Sequence, residues 1–320
     1  MKKDKQKQKT KLGFKDAISA LKADWQIYVL LLPLVIWFLL FMYKPMYGLI
    51  ISFKDYSLFK GIEASPWVGL DNFKELLFGA GSTYFWRAFK NTFLISFYGL
   101  IFGFPAPIIL ALMFNEVKDG IYRRGIQTLL YLPHFISEVI IAGIVIAFLQ
   151  PQTGIINILL VKVGILEQGI YFLVKPEYFR SIYILSGMWK ETGFASIVFF
   201  AALSGISPAL YEAAKVDGAT RIQQMLNVSI PGIAPTIIIM LIIRIGQLLS
   251  VGYERVLLLY QPVTYETADI LNTYIYRLGL TGSTDFSLAT AAVFFNAIIG
   301  FVLVRTANSI SRKVSETALW

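Results

Sequence analysis

Charged and hydrogen-bonding side chains set inside apolar runs are the residues of this chain with the means to do chemistry. One group is contiguous: Trp189-Lys190-Glu191-Thr192-Gly193-Phe194. A second is periodic. Arg244, Gln247, Glu254 and Arg255 recur near steps of three, four and seven, with Val251 and Tyr253 among them, which predicts one face of a helix. Charges in hydrocarbon are costly, so they face a cavity or one another. Along a water-filled path, guanidinium forks would hold carboxylates or hydroxyls. The ring faces of Trp189, Phe194 and Tyr253 would suit the apolar faces of sugars. On sequence alone the same residues equally form interhelical ion pairs, Lys190 with Glu191 and Glu254 with Arg244 or Arg255. Glu138 is expected to pair or to face the inner side rather than to relay protons.

A third group is polar and compact, Tyr211-Glu-Ala-Ala-Lys-Val-Asp-Gly-Ala-Thr220, running on to Val228-Ser-Ile-Pro231. Ser207-Pro208 reads as an N-cap followed by a proline at the first helical position, and Gly218 as a break after Asp217. Thr220 then caps a second helix that carries Ile222, Met225 and Leu226 on one side and ends at Pro231. Two short helices at a membrane surface suit docking on another protein. Ala213 and Ala214 permit close approach, and Glu212 and Lys215 offer charge-assisted contacts at the rim of a cleft. The plainer alternative is an amphipathic interfacial helix.

The elements that must position these groups follow from composition. The chain has 320 residues, of which 56% are hydrophobic and 15% aromatic, and a mean hydropathy of +0.63. The bilayer is therefore its solvent. Six apolar spans are expected, roughly 27–50, 90–114, 127–149, 180–204, 233–259 and 286–305, each near the length a helix needs to cross the hydrocarbon. Lys44-Pro45 should interrupt the first span. Pro105 and Pro107 should interrupt the second, as a bend or as a packing kink. The expected plan is a basic cytoplasmic tail (1–25), an all-α transmembrane domain (26–308) containing the polar docking loop (206–231), and a cytoplasmic C-terminal tail (309–320).

Eight lysines in the first 25 residues place that segment in the cytoplasm. It has no small-residue cleavage site and is kept as part of the mature chain. An even number of spans returns the C-terminus, with Arg312 and Lys313, to the same side. Lys118, Arg123 and Arg124 then fall in a second cytoplasmic loop, and Lys215 and Arg221 in a third. The loop after the first span, with Lys54, Lys60, Lys74 and Arg87, runs against this trend.

The net charge of +9 comes mostly from the lysine-rich tail, whose ordinary partner is anionic lipid rather than nucleic acid. With no cysteine, disulfides and thiolate chemistry are excluded. No P-loop is present, nor any His-Glu-x-x-His, Gly-x-Ser-x-Gly or paired-carboxylate pattern. The single histidine, His134 in Leu132-Pro-His-Phe135, reads as a helix-start residue. No enzyme, metal or chain-bound cofactor is expected.

The spacing Glu-Ala-Ala, three residues, Gly218, nine residues, Val-x-Ile-Pro231 resembles the loop by which ABC importer permeases engage their ATPases. Together with Gly232-Ile-Ala-Pro-Thr236, Val68-Gly-Leu-Asp-Asn-Phe73 and Leu130-Tyr-Leu-Pro-His-Phe-Ile-Ser137, it makes the whole chain resemble an ABC carbohydrate-importer permease. The nearest subgroup is that of the lipoprotein-locus sugar permeases of Gram-positive bacteria. Ile230, where a leucine is usual, is a mild departure.

The resemblance implies a type I importer permease fold. It also implies a second permease, two ATPases that bind the ATP and Mg, an extracellular binding lipoprotein and an oligosaccharide substrate. Docking would fall to Glu212, Ala213, Ala214, Lys215, Asp217, Gly218 and Pro231. The maltose-importer permease carries its sugar site on the same two spans. There Trp189, Lys190, Glu191 and Phe194 match directly, whereas Tyr253, Glu254 and Arg255 match only with a gap. Charged residues where neutral ones are usual imply an acidic or very polar oligosaccharide. The loop 150–179, with Gln150-Pro-Gln-Thr-Gly154, would face the delivery protein or re-enter the membrane. A secondary transporter or channel for a polar solute is the alternative, but it gives the docking loop no role.

Overall fold

The computed structural model describes residues 24–249, 251–281 and 284–314, so the lysine-rich segment 1–23 and Trp320 lie outside the described residues. Among those residues the architecture is helical throughout, and the one extended pairing is an isolated bridge between Lys54 and Trp67. Three helices are long and apolar enough to cross a membrane: α1 (Trp25–Phe53), α2 (Ser82–Glu116) and, at the C-terminal end, α11 (Phe286–Val314). Between them lie α3 (Ile121–Phe135), α4 (Glu138–Phe148), α5 (Pro176–Ser204), α6 (Pro208–Val216), α7 (Arg221–Gly232), α8 (Ala234–Gly246), α9 (Tyr253–Leu259) and α10 (Leu271–Tyr276). The pairs α3/α4, α5/α6 and α7/α8 are bent by 103°, 72° and 63°, and counting each pair once gives up to six spans.

The expected proline interruptions are absent, and the reason is local. A proline inside a helix lacks its N–H and crowds the carbonyl four residues back. At three places the chain widens into a π turn ending two residues before the proline: Leu39–Tyr43 before Pro45, Gly99–Gly103 before Pro105, and Met225–Ser229 before Pro231. The wider turn relieves the clash, and past Pro45 and Pro105 the helix continues. At Pro231 the expected end of the helix holds to within one residue, since α7 stops at Gly232 and α8 leaves at a 63° bend.

Breaks occur elsewhere. The third span is not continuous over 127–149: a 3-10 turn through Pro133 ends α3, and Ser137 starts α4 by accepting a hydrogen bond from the Ile140 N–H at 3.4 Å. The fifth span is not continuous over 233–259 either. Helix α8 stops at Gly246, and the chain leaves helical geometry before Gly252 opens α9.

Packing centres on α2 and α5. One cluster joins Ile95, Ala142, Phe179, Val256 and Ile270 from α2, α4, α5, α9 and the approach to α10. A second joins Phe85 and Ala88 to Leu271, Tyr274 and Ala291. A third sets Ala111 and Leu112 against Phe199, Leu203 and Ile233. Gly193 lets α3 cross α5, because a Cβ there would collide with the Leu130 carbonyl.

Two buried polar keys hold the connecting segments. Asn157 donates to the Leu149, Gln150 and Ile170 carbonyls at 3.0, 3.1 and 3.1 Å and accepts from the Ile170 N–H at 2.9 Å, folding the loop 150–174 onto itself. Asn91 donates to the Glu266 and Asp269 carbonyls, both at 3.0 Å, and accepts from Arg180 at 2.8 Å. It thereby fixes the segment between the fifth and sixth spans against α2 and α5. Residues 24–47 are exposed throughout, as an apolar helix facing lipid or another chain must be, and Tyr47–Phe53 packs on α11.

Candidate functional site: a charged cavity and a docking turn

Every fourth residue of α5 faces one space: Tyr183, Gly187, Glu191, Ala195 and Phe199 line a cavity of about 450 Å³. Glycines 99 and 103 of α2 form part of the facing wall, and α8 and the turn after it contribute Arg244, Gln247 and Val251. Arg255, from the first turn of α9, closes the polar side. A space of this size within a helix bundle is large enough for a small polar ligand.

The structure divides the residues anticipated from sequence. Glu191, Arg244, Gln247 and Arg255 line the cavity. Tyr253 and Glu254 instead line a smaller neighbouring cavity of about 190 Å³, with Glu138 and Arg255. Trp189 is 47% exposed and borders neither. Lys190 is buried and turned toward α4, and Phe194 stacks on His134 with ring centroids 3.9 Å apart. The stripe Arg244–Gln247–Glu254–Arg255 is not one helical face, because the break after Gly246 assigns its halves to different helices.

The anticipated ion pairs are also redrawn. Glu138, at the first turn of α4, is the shared acceptor. Arg255 donates to it through Nε at 2.7 Å and Nη2 at 2.9 Å, and Lys190 donates through Nζ at 2.7 Å. Glu191 stands 3.9 Å from Lys190 and accepts its close contact from His134, whose Nδ1 is 2.9 Å away. Glu254 is exposed and, among the described residues, pairs with neither arginine. Arg244 likewise has no carboxylate within ion-pair distance among them. The Arg255 guanidinium lies 5.4 Å from the Tyr183 ring centre, and the Tyr183 hydroxyl donates to the Gly252 carbonyl at 3.3 Å.

Sequence reasoning missed the roles of Tyr183, Gly187 and His134. The four-residue step Tyr183-Gly187-Glu191-Ala195-Phe199 was the available signal for the cavity wall. Nothing local announces that His134 meets Glu191, 57 positions later. Among the described residues no three His, Asp or Glu side chains converge as a metal site requires.

The second region is the helix pair α6/α7. Gly218 takes φ +77°, the left-handed conformation that stops α6 cleanly. Thr220 and Gln223 form a reciprocal capping box: the Thr220 hydroxyl accepts the Gln223 N–H at 3.3 Å, and the Gln223 side chain accepts the Thr220 N–H at 2.7 Å. Ser207 holds the N-cap position of α6, but its side chain makes no capping bond.

Glu212, Ala213, Lys215, Asp217, Gly218 and Pro231 are exposed, and Ala214 is half-buried. The anticipated apolar side of α7 divides. Met225 packs into the third core cluster, while Ile222 and Leu226 remain exposed, as do Leu210 and Val216 of α6. Arg221 pairs with Glu116 at 2.6 Å and Tyr211 with Ser229 at 2.9 Å, tying the two helices to α2 and to each other.

Residues 103–316 match the family model described as the binding-protein-dependent transport system inner membrane component. The chain is 40% identical to Protein LplB of Bacillus subtilis strain 168, over 95% of this chain and 93% of that protein. It is 41% identical to the polygalacturonan/rhamnogalacturonan transport system permease protein YteP of the same organism, over 92% and 90%. Among solved structures it superposes with a TM-score of 0.85 and 50% identity on a chain of a bacterial ABC transporter involved in import of the acidic polysaccharide alginate, covering 93% of this chain and 99% of that one.

Proposed function

Because the chain belongs to the family of binding-protein-dependent transport inner membrane components, we propose, within its role as the non-catalytic permease subunit of an ABC importer of sugars or oligosaccharides, that its cargo is an acidic, uronate-bearing oligosaccharide. The observation that carries this reading is Arg244. It is a guanidinium set in a cavity of the helix bundle with no carboxylate partner among the described residues. Its side chain is open to the cavity and committed to nothing in the fold, so a carboxylate that arrives with the cargo can accept two parallel hydrogen bonds from it. Support comes from the alginate transporter and from YteP, both named for acidic polysaccharides.

The rest of the machine follows the family. A second permease completes the pore, and two ATPases bind ATP and Mg and seat against α6/α7. A binding protein delivers the sugar from outside, as the solved alginate transporter is complexed with a periplasmic protein holding an alginate pentasaccharide. The exposed Leu210, Val216, Ile222 and Leu226, with Glu212 and Lys215 at the edge, give an ATPase cleft an apolar seat and a charged rim. Both termini lie in the cytoplasm, which puts α6/α7 on the ATPase side.

The test is ATPase activity in liposomes holding this chain with its second permease, ATPases and binding protein. Trigalacturonate should stimulate hydrolysis strongly and maltotriose weakly or not at all. Equal stimulation by the two would refute the acidic cargo, and stimulation indifferent to substitution of Gly218 would refute docking through α6/α7.

A further inference from the structure

Arg255 reaches the same cavity as Arg244 under a different restraint. Its Nε and Nη2 are both committed to Glu138, a side-on fork that fixes the plane of the guanidinium. Nη1, on the remaining edge, has no hydrogen-bond partner among the described residues, and the side chain lines the cavity. Helix α5 permits this only because position 187 carries no side chain: a Cβ there would sit 2.7 Å from Nη1. Glu138 also accepts from Lys190, so one carboxylate faces two cations and positive charge is left over beside the cavity. Among the described residues Glu191 is the one acid that lines the cavity, and it is engaged by His134 at 2.9 Å.

We propose that Arg255 is a second, specificity-determining anion contact. The cavity then reads two acidic groups of one oligosaccharide, the first at Arg244 and the second at Nη1 of Arg255. Glu138 and Gly187 are positioning residues: Glu138 holds the fork in plane and Gly187 leaves its outer edge open. Since Arg244 and Arg255 stand on different helices with a non-helical turn between them, their separation is set by the fold and selects for the spacing of charges along the sugar chain. This inference rests on the acidic cargo proposed above.

The experiment uses the reconstituted complex and three probes: digalacturonate with two free carboxylates, its monomethyl ester with one, and its dimethyl ester with none. The binding protein is the same in every reaction, so a change that accompanies a substitution in this chain belongs to the permease. Gly187→Ala should raise the half-saturating concentration of the diacid by about tenfold to a hundredfold, the span of a hydrogen bond to a charged group, while the monoester moves by less than about twofold. Arg255→Lys keeps the charge, removes the fork and should give the same split, which covers the case in which Gly187→Ala does not assemble.

A shift of equal size for diacid and monoester, or no shift for either, would overturn the second contact. If the unsubstituted complex responds equally to the diacid and the dimethyl ester, the acidic cargo itself falls. If it prefers the diacid but does not distinguish it from the monoester, only the second contact falls.

Discussion

Asp269 and Glu138 each hold an arginine in a two-bond fork, and they leave very different remainders. Asp269 is fully buried and accepts both terminal nitrogens of Arg277, at 2.7 and 2.6 Å, the Thr273 hydroxyl at 2.8 Å and a longer contact from Arg87 at 3.9 Å. Arg277 lies over the Tyr265 ring at 4.5 Å. Burial alone would lower the Arg277 pKa, but the hydrogen bonds and charge of Asp269 outweigh it and hold it above the ordinary arginine value. Glu138 sits at the edge of a cavity with its side chain 22% exposed, faces two cations, and leaves one nitrogen of Arg255 without a partner. A closed knot of this kind fixes a segment. An open one keeps hydrogen-bonding capacity in reserve for something that arrives, and Arg244, with no ion pair at all, is the far end of that series.

The contrast breaks first, and hardest, at the closed knot. Asp269→Ala removes the fully buried acceptor that Arg277, Thr273 and Arg87 share and should cost about 3–5 kcal/mol, the penalty for removing one partner of a buried pair. The expected result is a large drop in the thermal midpoint of the purified complex and poor assembly. An unchanged midpoint would mean that the closed knot is not structural. Glu138→Ala frees two cations, but the Glu138 side chain is 22% exposed and borders the smaller cavity, so water can take the place of the lost carboxylate and the loss should be smaller, about 2–3 kcal/mol. Thermal unfolding of the two variants side by side measures the difference between the knots directly.

Next in size is the docking turn, where the reserve is conformational. Gly218→Val forces a side chain into a left-handed backbone conformation at a cost of about 1–2 kcal/mol. The six-span bundle should remain folded, while copurification of the ATPase and stimulated hydrolysis fall together. Wild-type hydrolysis in this variant would uncouple α6/α7 from the ATPase.

Much of this organisation was legible before any coordinates, and the failures share one cause. Apolar runs pointed to the spans, and Gly218 and Thr220 to the turn between α6 and α7, because hydropathy, a left-handed glycine and a capping box are all local signals. Glu138 belongs with Lys190 and Arg255, 52 and 117 positions away, and a single sequence has no means of saying so. Of the nearer acids that the sequence offers as partners, Glu191 keeps only a long contact with Lys190 at 3.9 Å, and Glu254 pairs with neither arginine among the described residues. The helical stripe failed for a related reason: its period ran past the end of α8 at Gly246, and the Val251 and Gly252 carbonyls bond the distant Asn272 and Tyr183 instead of a helical partner. Pro45 and Pro105 misled in the other direction, since a π turn two residues upstream absorbs what reads in sequence as a break.

The smallest structural effect is predicted at the residue on which the acidic cargo rests most heavily. Arg244 makes no ion pair among the described residues and is exposed to the cavity, so Arg244→Gln removes no bond that holds the fold. The thermal midpoint should shift by the equivalent of less than about 0.5 kcal/mol, as for a substitution away from packed features. If the residue is there for the fold, that small shift should be the whole phenotype. If it is there for cargo, stimulation by trigalacturonate should fall about tenfold or more in apparent affinity while assembly and unstimulated hydrolysis stay unchanged. Arg244→Lys sharpens the outcome, since a point charge retains attraction but not the planar fork, and an intermediate response identifies the ligand group as a carboxylate read in two places. A closed knot cannot give this pattern, because Asp269 is fully buried and lies beyond the reach of a ligand.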